Sequence, residues 1–149
     1  TRDDMRLVAG LLPNTDYFMP SIEEARALSG LTDVADTAKF FLDSGVRCCV
    51  LTLGGDGAYY HHRNGDRFLM PGFAVDVVCT CGCGDVFNAG IATAIVKGLD
   101  PESMVRLAQA TSALNATGLG SQAGVATYEA TLAFMRSTPT RPSTVRVGP

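Results

Sequence analysis

Apolar residues open the chain at helical spacing: Met5, Leu7, Val8, Leu11 and Leu12 predict a helix from about Asp3 to Leu12, which Pro13-Asn14 ends. Asp16-Tyr17-Phe18-Met19 reads as a short buried strand stopped by Pro20. Ser21 with Glu24 three residues later forms the pattern of a capping box, opening a helix to about Ser29-Gly30. Asp33 starts another helix that runs through Phe40, Phe41 and Leu42 to Gly45, a residue suited to a helix C-terminus. Cys48 to Leu53 is continuously apolar and β-branched, the signature of a buried strand in a parallel-type sheet. Ala58-Tyr59-Tyr60 and Arg67-Phe68-Leu69-Met70 flank Arg63-Asn64-Gly65-Asp66, and Asn-Gly between strand-like runs predicts a hairpin. Ala74 to Thr80 reads as a further strand, followed by a glycine-rich turn and an apolar helix from about Asp85 to Lys97. Two more helices follow, near Pro101–Gly118 and Tyr128–Arg136. From Ser137 the chain holds Pro139, Pro142 and Pro149 with little apolar content, so residues 137–149 read as a disordered tail or an irregular arm after a domain spanning 1–136.

This order is an α/β pattern with a partly antiparallel edge and no internal repeat. Three or four strands would leave a sheet edge and apolar faces uncovered. Thr1 begins directly in what reads as a mid-domain helix, so the chain reads like the second half of something larger. At 149 residues and 46% apolar content it can build a core. The net charge of −3 and the lack of any Lys/Arg cluster argue against nucleic-acid and membrane-surface roles. No apolar run approaches the roughly 18 residues of a membrane span. Five cysteines without an export signal read as reduced thiols of a cytoplasmic protein.

The chemistry concentrates in Val77-Val78-Cys79-Thr80-Cys81-Gly82-Cys83-Gly84-Asp85-Val86-Phe87. Glycines before a helix let successive N–H groups converge at its positive end, which suits a phosphate or a developing anion. An aspartate beside such a cradle can take a proton from an attacking hydroxyl. The same spacing also fits a tight turn with an acidic residue favoured by the helix dipole. Cys79, Cys81 and Cys83 could ligate zinc or an iron–sulfur group, but alternate strand residues point to opposite sides and a fourth ligand is not evident.

The segment from Cys79 to Phe87 resembles the second signature of PfkB-type, ribokinase-like carbohydrate kinases, usually Asp-Thr-Thr-Gly-Ala-Gly-Asp-x-Phe. Ser21-Ile22-Glu23-Glu24 stands where that family has Asn-x-x-Glu. Leu51-Thr52-Leu53-Gly54-Gly55-Asp56-Gly57 resembles its strand-to-loop segment at the nucleotide site, and Ala108-Gln109-Ala110 through Gly118-Leu119-Gly120-Ser121 its helix and loop beside the adenine. The resemblance runs from about Leu7 to Met135. It implies the C-terminal portion of a three-layer αβα sandwich, with a β-hairpin and flanking helices. It implies ATP-dependent phosphorylation of a sugar or sugar-like alcohol, with Asp85 as base and the backbone of Gly82, Cys83 and Gly84 as anion hole. Glu24 would organise water around Mg2+; Thr52, Gly54, Gly57 and Ser21 would line the nucleotide site, and Gln109 would lie near base or ribose. Glu24 serves equally as a capping-box partner, and Gln109 could simply face solvent.

The resemblance further implies ATP and a small sugar as partners, a missing N-terminal half holding the lid and most sugar contacts, and possible homodimerisation. Cys79 and Cys81 replace residues whose oxygens help bind a monovalent cation in many relatives. Thiols are poor ligands for potassium, so dependence on that cation is doubtful. Cys83, at a helix N-terminus, could make the loop sensitive to thiol reagents. The same departures leave a second reading, a catalytically inactive nucleotide- or sugar-binding regulator of the same fold.

Overall fold

The computed structural model describes residues 3–147; the expectations for Thr1 and Pro149 lie outside them. The chain forms two compact units, Thr1–Gly54 with Ala58–Leu69 and Thr144–Pro149, and Gly55–Gly57 with Met70–Ser143.

In the first unit the opening helix, α1 (Met5–Val8), is shorter than its apolar spacing predicts. Leu7 and Leu11 face solvent at 78% and 65% exposure, and the chain turns at Gly10 into a 3-10 segment at Leu12–Asn14. Met5 packs on the core, but with Leu7 and Leu11 unburied and a glycine in its path, the helix has little to extend it. Strand β1 (Tyr17–Phe18) leads into α2 (Ile22–Ser29), and Asp33 caps α3 (Val34–Asp43) by accepting from Asp36 N–H at 2.9 Å. Strand β2 (Cys48–Thr52), β3 (Ala58–His62) and β4 (Arg67–Met70) complete a four-stranded sheet ordered β1-β2-β3-β4.

The sheet is mixed. Strand β2 runs parallel to β1, with Tyr17 opposite Cys48, and antiparallel to β3, with Thr52 opposite Ala58. The continuous apolar run of β2 thus reports burial on both faces rather than an all-parallel sheet. Phe41, fully buried on α3, meets the Phe18 ring at 4.8 Å and the Phe40 ring at 5.2 Å. Around it Leu12, Ala25, Ala38, Val46, Cys49 and Leu51 form the core that fixes both helices on the sheet. The hairpin forms as expected, and Tyr60 stacks on Phe68 across it at 4.8 Å.

In the second unit α4 (Cys83–Val96) packs along α5 (Pro101–Ala116), burying Phe87, Ile91 and Ala94 against a helix that buries Val105, Leu107 and Ala108. Helix α6 (Tyr128–Ser137) packs on α5. Segment 74–80 is not the strand that its composition predicts. Strand formation needs a neighbour exchanging N–H and C=O bonds. Val78 and Cys79 N–H both donate to one carbonyl at the end of α5, Ala116, at 2.8 and 3.1 Å, and Ala74 N–H to Pro139 at 2.8 Å. Val77 and Val78 stay more than half exposed, as do Val96 and Leu119, so apolar surface is uncovered in this unit. Helix α4 also begins two residues before the expected Asp85. Beyond Ser137 the chain is irregular, with Thr140 bridging to Phe73 and Arg141 N–H donating to Gly72 O at 2.9 Å. In the first unit Val145 and Val147 pack on the core.

Candidate phosphate cradle and nucleotide-loop residues

The second unit holds Gly82, Cys83, Gly84 and Asp85 in one turn of chain. Gly82 is the N-cap of α4 in the left-handed region, φ 70°, and supplies no side-chain cap. A Cβ there would sit 2.3 Å from Ser121 O, so only glycine lets the turn press on the loop after α5. Cys83 N–H donates to Thr80 O at 3.2 Å, and Val86 N–H to Gly82 O at 3.0 Å. Between them, the amides of Gly84 and Asp85 find no acceptor among the described residues. These are the first-turn donors that a helix leaves open, with the positive end of the dipole behind them. Of the three amides expected to form the hole, that of Cys83 is engaged by Thr80 O, while those of Gly82 and Gly84 have no acceptor among the described residues. Asp85, third in the helix, is exposed and belongs to the same first turn as these donors.

Sequence reasoning missed what holds this turn. Asn115, fully buried on α5, donates from Nδ2 to Cys81 O at 2.9 Å and accepts Gly124 N–H on Oδ1 at 3.4 Å. The signal was legible as a polar residue seven positions after Ala108 on the helix face that otherwise packs apolar groups. The thiols also differ from expectation. Cys83 Sγ is half-buried and faces the carbonyls of Ser112 and Cys79, at 3.6 and 3.9 Å. Cys79 Sγ instead accepts the Cys81 N–H at 3.4 Å. That amide, then the Cys81 thiol and the Gly120 amide, hold the Cys79 thiol below the usual cysteine range. The Cys81 thiol is raised, first by its hydrogen bond to Cys79. Among the described residues no group of three His, Cys, Asp or Glu side chains is placed to hold a metal ion.

Gly57 and Gln109 meet elsewhere in this unit, at the Met70 carbonyl. Gly57 has φ 110°, and a Cβ would fall 1.9 Å from Met70 O. Gln109 is 6% exposed and donates to the same oxygen at 3.2 Å. It is a buried strut of the loop rather than a solvent-facing residue. Arg141, which the sequence did not single out, lays its guanidinium beside the Gly55 backbone.

In the first unit the capping box forms in full: Ser21 Oγ accepts Glu24 N–H at 3.2 Å, and Glu24 Oε2 accepts Ser21 N–H at 2.8 Å. Ser21 bridges to Thr52, whose N–H donates to Pro20 O at 3.1 Å. Ser21, Glu24 and Thr52 therefore share the carboxyl ends of the two parallel strands, where open α/β sheets place ligands. Glu24 is exposed and keeps Oε1 uncommitted, an oxygen donor of the kind magnesium takes. Gly54 follows Thr52 at φ 58° with open space where a side chain would stand.

An α/β chain with an acidic helix N-terminus of this kind has close counterparts. Its fold matches a ribokinase from Thermotoga maritima with a TM-score of 0.81 and 32% identity over 87% of this chain and 45% of that one. It also matches a putative ribokinase II from E. coli in complex with ATP and Mg2+, with a TM-score of 0.80 and 27% identity over 87% of this chain and 42% of that one. Among curated proteins, the ribokinase of Haemophilus influenzae is 33% identical over 84% of this chain and 42% of its own length. Residues 2–127 match the pfkB family carbohydrate kinase profile, and the chain belongs to that family. It spans less than half the length of these relatives. Among the described residues no helix is long and apolar enough to cross a membrane.

Replacing Asn115 by Ala leaves the Cys81 carbonyl and Gly124 N–H unpaired in a buried site. The expected loss is about 1–3 kcal/mol of unfolding free energy in urea titration, and an unchanged midpoint would remove Asn115 from this role.

Proposed function

We propose that this chain carries the phosphoryl-transfer part of an ATP-dependent kinase acting on the hydroxyl of a sugar or sugar-like alcohol. The observation that carries the reading is the exposed Asp85 in the same first turn as the two open amides at the start of α4. Asp85 accepts the proton of the acceptor hydroxyl as that oxygen bonds to the γ-phosphorus and the bond to the departing ADP oxygen breaks. The amides of Gly84 and Asp85 take up the charge on the non-bridging oxygens, with donors fixed before the reaction begins. Thr52, Gly54 and Gly57 are the backbone-rich positions for the nucleotide, and Ser21 retains a hydroxyl able to hydrogen-bond. Glu24 would orient the water shell of a bound magnesium ion, which would supply neutralisation of phosphate charge. Family membership supports ATP as donor, and a relative of this fold is complexed with ATP and Mg2+. We place most of the acceptor site on the part of the family fold that this chain does not match.

The intact protein, assayed for ATP-dependent phosphorylation across a panel of sugars and nucleosides, should turn over one acceptor. Asp85→Asn should lower that rate by about 10²–10⁴-fold, the range for a lost general base. Equal background in both proteins with nucleotide still bound would favour the regulator reading, to which the substitutions at Ser21, Cys79 and Cys81 lend weight.

Glu24→Gln separates two roles. Glutamine still completes a capping box, so the melting temperature should hold while the magnesium concentration needed for half-maximal rate rises. An unchanged magnesium requirement would leave Glu24 as a cap alone.

Replacing potassium by a large organic cation should change the rate little. The Cys79 sulfur faces amide donors, an environment suited to an anion, and sulfur is a soft ligand. A several-fold gain in potassium would overturn this expectation.

A further inference from the structure

The three cysteines around Gly82 take no part in the proposed chemistry as thiols, yet they are placed unequally. Cys81 is exposed and Cys79 half-exposed, whereas Cys83 is turned onto the Ser112 carbonyl. Cys81 N–H donates to Cys79 Sγ at 3.4 Å, so the Cys79 side chain folds back over residue 81. We infer that Cys79 and Cys81 form an oxidisable dithiol, in which peroxide converts the pair to a disulfide and so distorts the phosphate cradle.

Their chemistry is divided as such a pair requires. Cys79, held below the usual range by the Cys81 amide first and by the Cys81 thiol and Gly120 amide after it, is the nucleophile. Cys81 keeps its proton, chiefly through its hydrogen bond to Cys79, until the second step. Cys48 is buried, and burial pushes its thiol up to about 12; Cys49 is raised further by the same cause. Neither competes for the oxidant. In the first step the Cys79 thiolate attacks a peroxide oxygen, giving the sulfenic acid and releasing hydroxide. The Cys81 sulfur then attacks the Cys79 sulfur; the S–S bond forms, the S–O bond breaks, and the hydroxyl leaves as water with the Cys81 proton. Two thiols are oxidised and one peroxide is reduced.

The consequence follows from how tightly the turn is held. The bond draws residues 79 and 81 together and takes the Cys79 sulfur from the Cys81 amide. The Cys81 carbonyl is tied to Asn115, and Gly82 has no room to shift toward Ser121 O. Strain therefore passes into Gly82 and the first turn of α4, where the open amides and Asp85 stand. A disulfide across so short a loop is strained and readily reduced, as suits a reversible mark. The loss of turnover rests on the phosphoryl-transfer reading; formation of the bond does not.

The intact protein would be treated with hydrogen peroxide, alkylated and digested, and the 79–83 peptide analysed by mass spectrometry. The expected product carries a Cys79–Cys81 disulfide that dithiothreitol reverses and that Cys79→Ser and Cys81→Ser each abolish. In Cys81→Ser the Cys79 sulfenic acid should persist and be trapped by a 1,3-diketone. Turnover of the oxidised protein should fall several-fold and return with dithiothreitol. A bond to Cys83 instead, no disulfide at all, or trapping at Cys83 rather than Cys79 would each overturn the dithiol. A mapped Cys79–Cys81 bond with undiminished turnover would overturn its effect on the cradle. Were the protein to turn over no acceptor, the phosphoryl-transfer reading would fail while the peptide map still decided the dithiol.

Discussion

The hydrogen bond from Asn115 Nδ2 to the Cys81 carbonyl reaches from the middle of one helix to the turn that begins another. Backbone bonds from Val78 and Cys79 to Ala116 O and from Cys83 to Thr80 O hold the approach to the turn, but no regular element does. Segment 74–80 lies in no strand, Gly82 brings no side chain, and α4 has no side-chain cap. An amide side chain buried among apolar residues costs free energy unless both its ends are bonded. Asn115 meets that condition by taking Cys81 O on one end and Gly124 N–H on the other, so the turn and the loop after α5 are tied at one point. Gly82 pressed against Ser121 is the same constraint seen from the opposite side. The direction of the open Gly84 and Asp85 amides follows from this tie, because the axis of α4 starts where the turn ends.

The first unit solves a comparable problem with local means. Ser21 and Glu24 satisfy each other's N–H groups at the start of α2, immediately after a parallel strand pair. A carboxylate bonded through one oxygen only is fixed in direction and still offers the other. In the proposed reading one geometry would serve capping and magnesium in turn, because the cap orders the Glu24 side chain in advance.

Legibility in the sequence divided along the range of the interactions concerned. Caps, hairpin and helix ends were readable because Ser21-Glu24, Asp33 and Asn64-Gly65 determine their own surroundings within a few residues. Ala74 to Thr80 misled because β-branched composition reports only that a strand is permitted, while pairing depends on a neighbour far along the chain. Leu7 and Leu11 misled for the converse reason: their spacing is helical, but no core receives them. In the candidate site, Asp85 and its glycines were legible as a motif. Asn115 shows in the sequence only as a polar residue on an apolar helix face, and its partners, like those of Arg141 and Gln109, do not, since each acts on a backbone group 34 or more positions away or on a loop it approaches only in the folded chain.

The same division explains why three cysteines sharing one motif are not chemically alike. As a sequence, Cys79-Thr80-Cys81-Gly82-Cys83 offers identical thiols at equal spacing, and the helix N-terminus favours Cys83. The fold assigns the amide donors differently. Cys83 is rotated toward α5, where its sulfur lies between two carbonyl oxygens and the Asn115 amide at 3.8 Å, while Cys79, outside the helix, receives N–H groups from Cys81 and from the loop after α5. Hydrogen-bond donors stabilise a charged sulfur, which is what holds the Cys79 thiol below the usual range. Reactivity at this turn therefore depends on which backbone groups face each sulfur, and that orientation descends from the tie between Cys81 and Asn115 with which the turn is built.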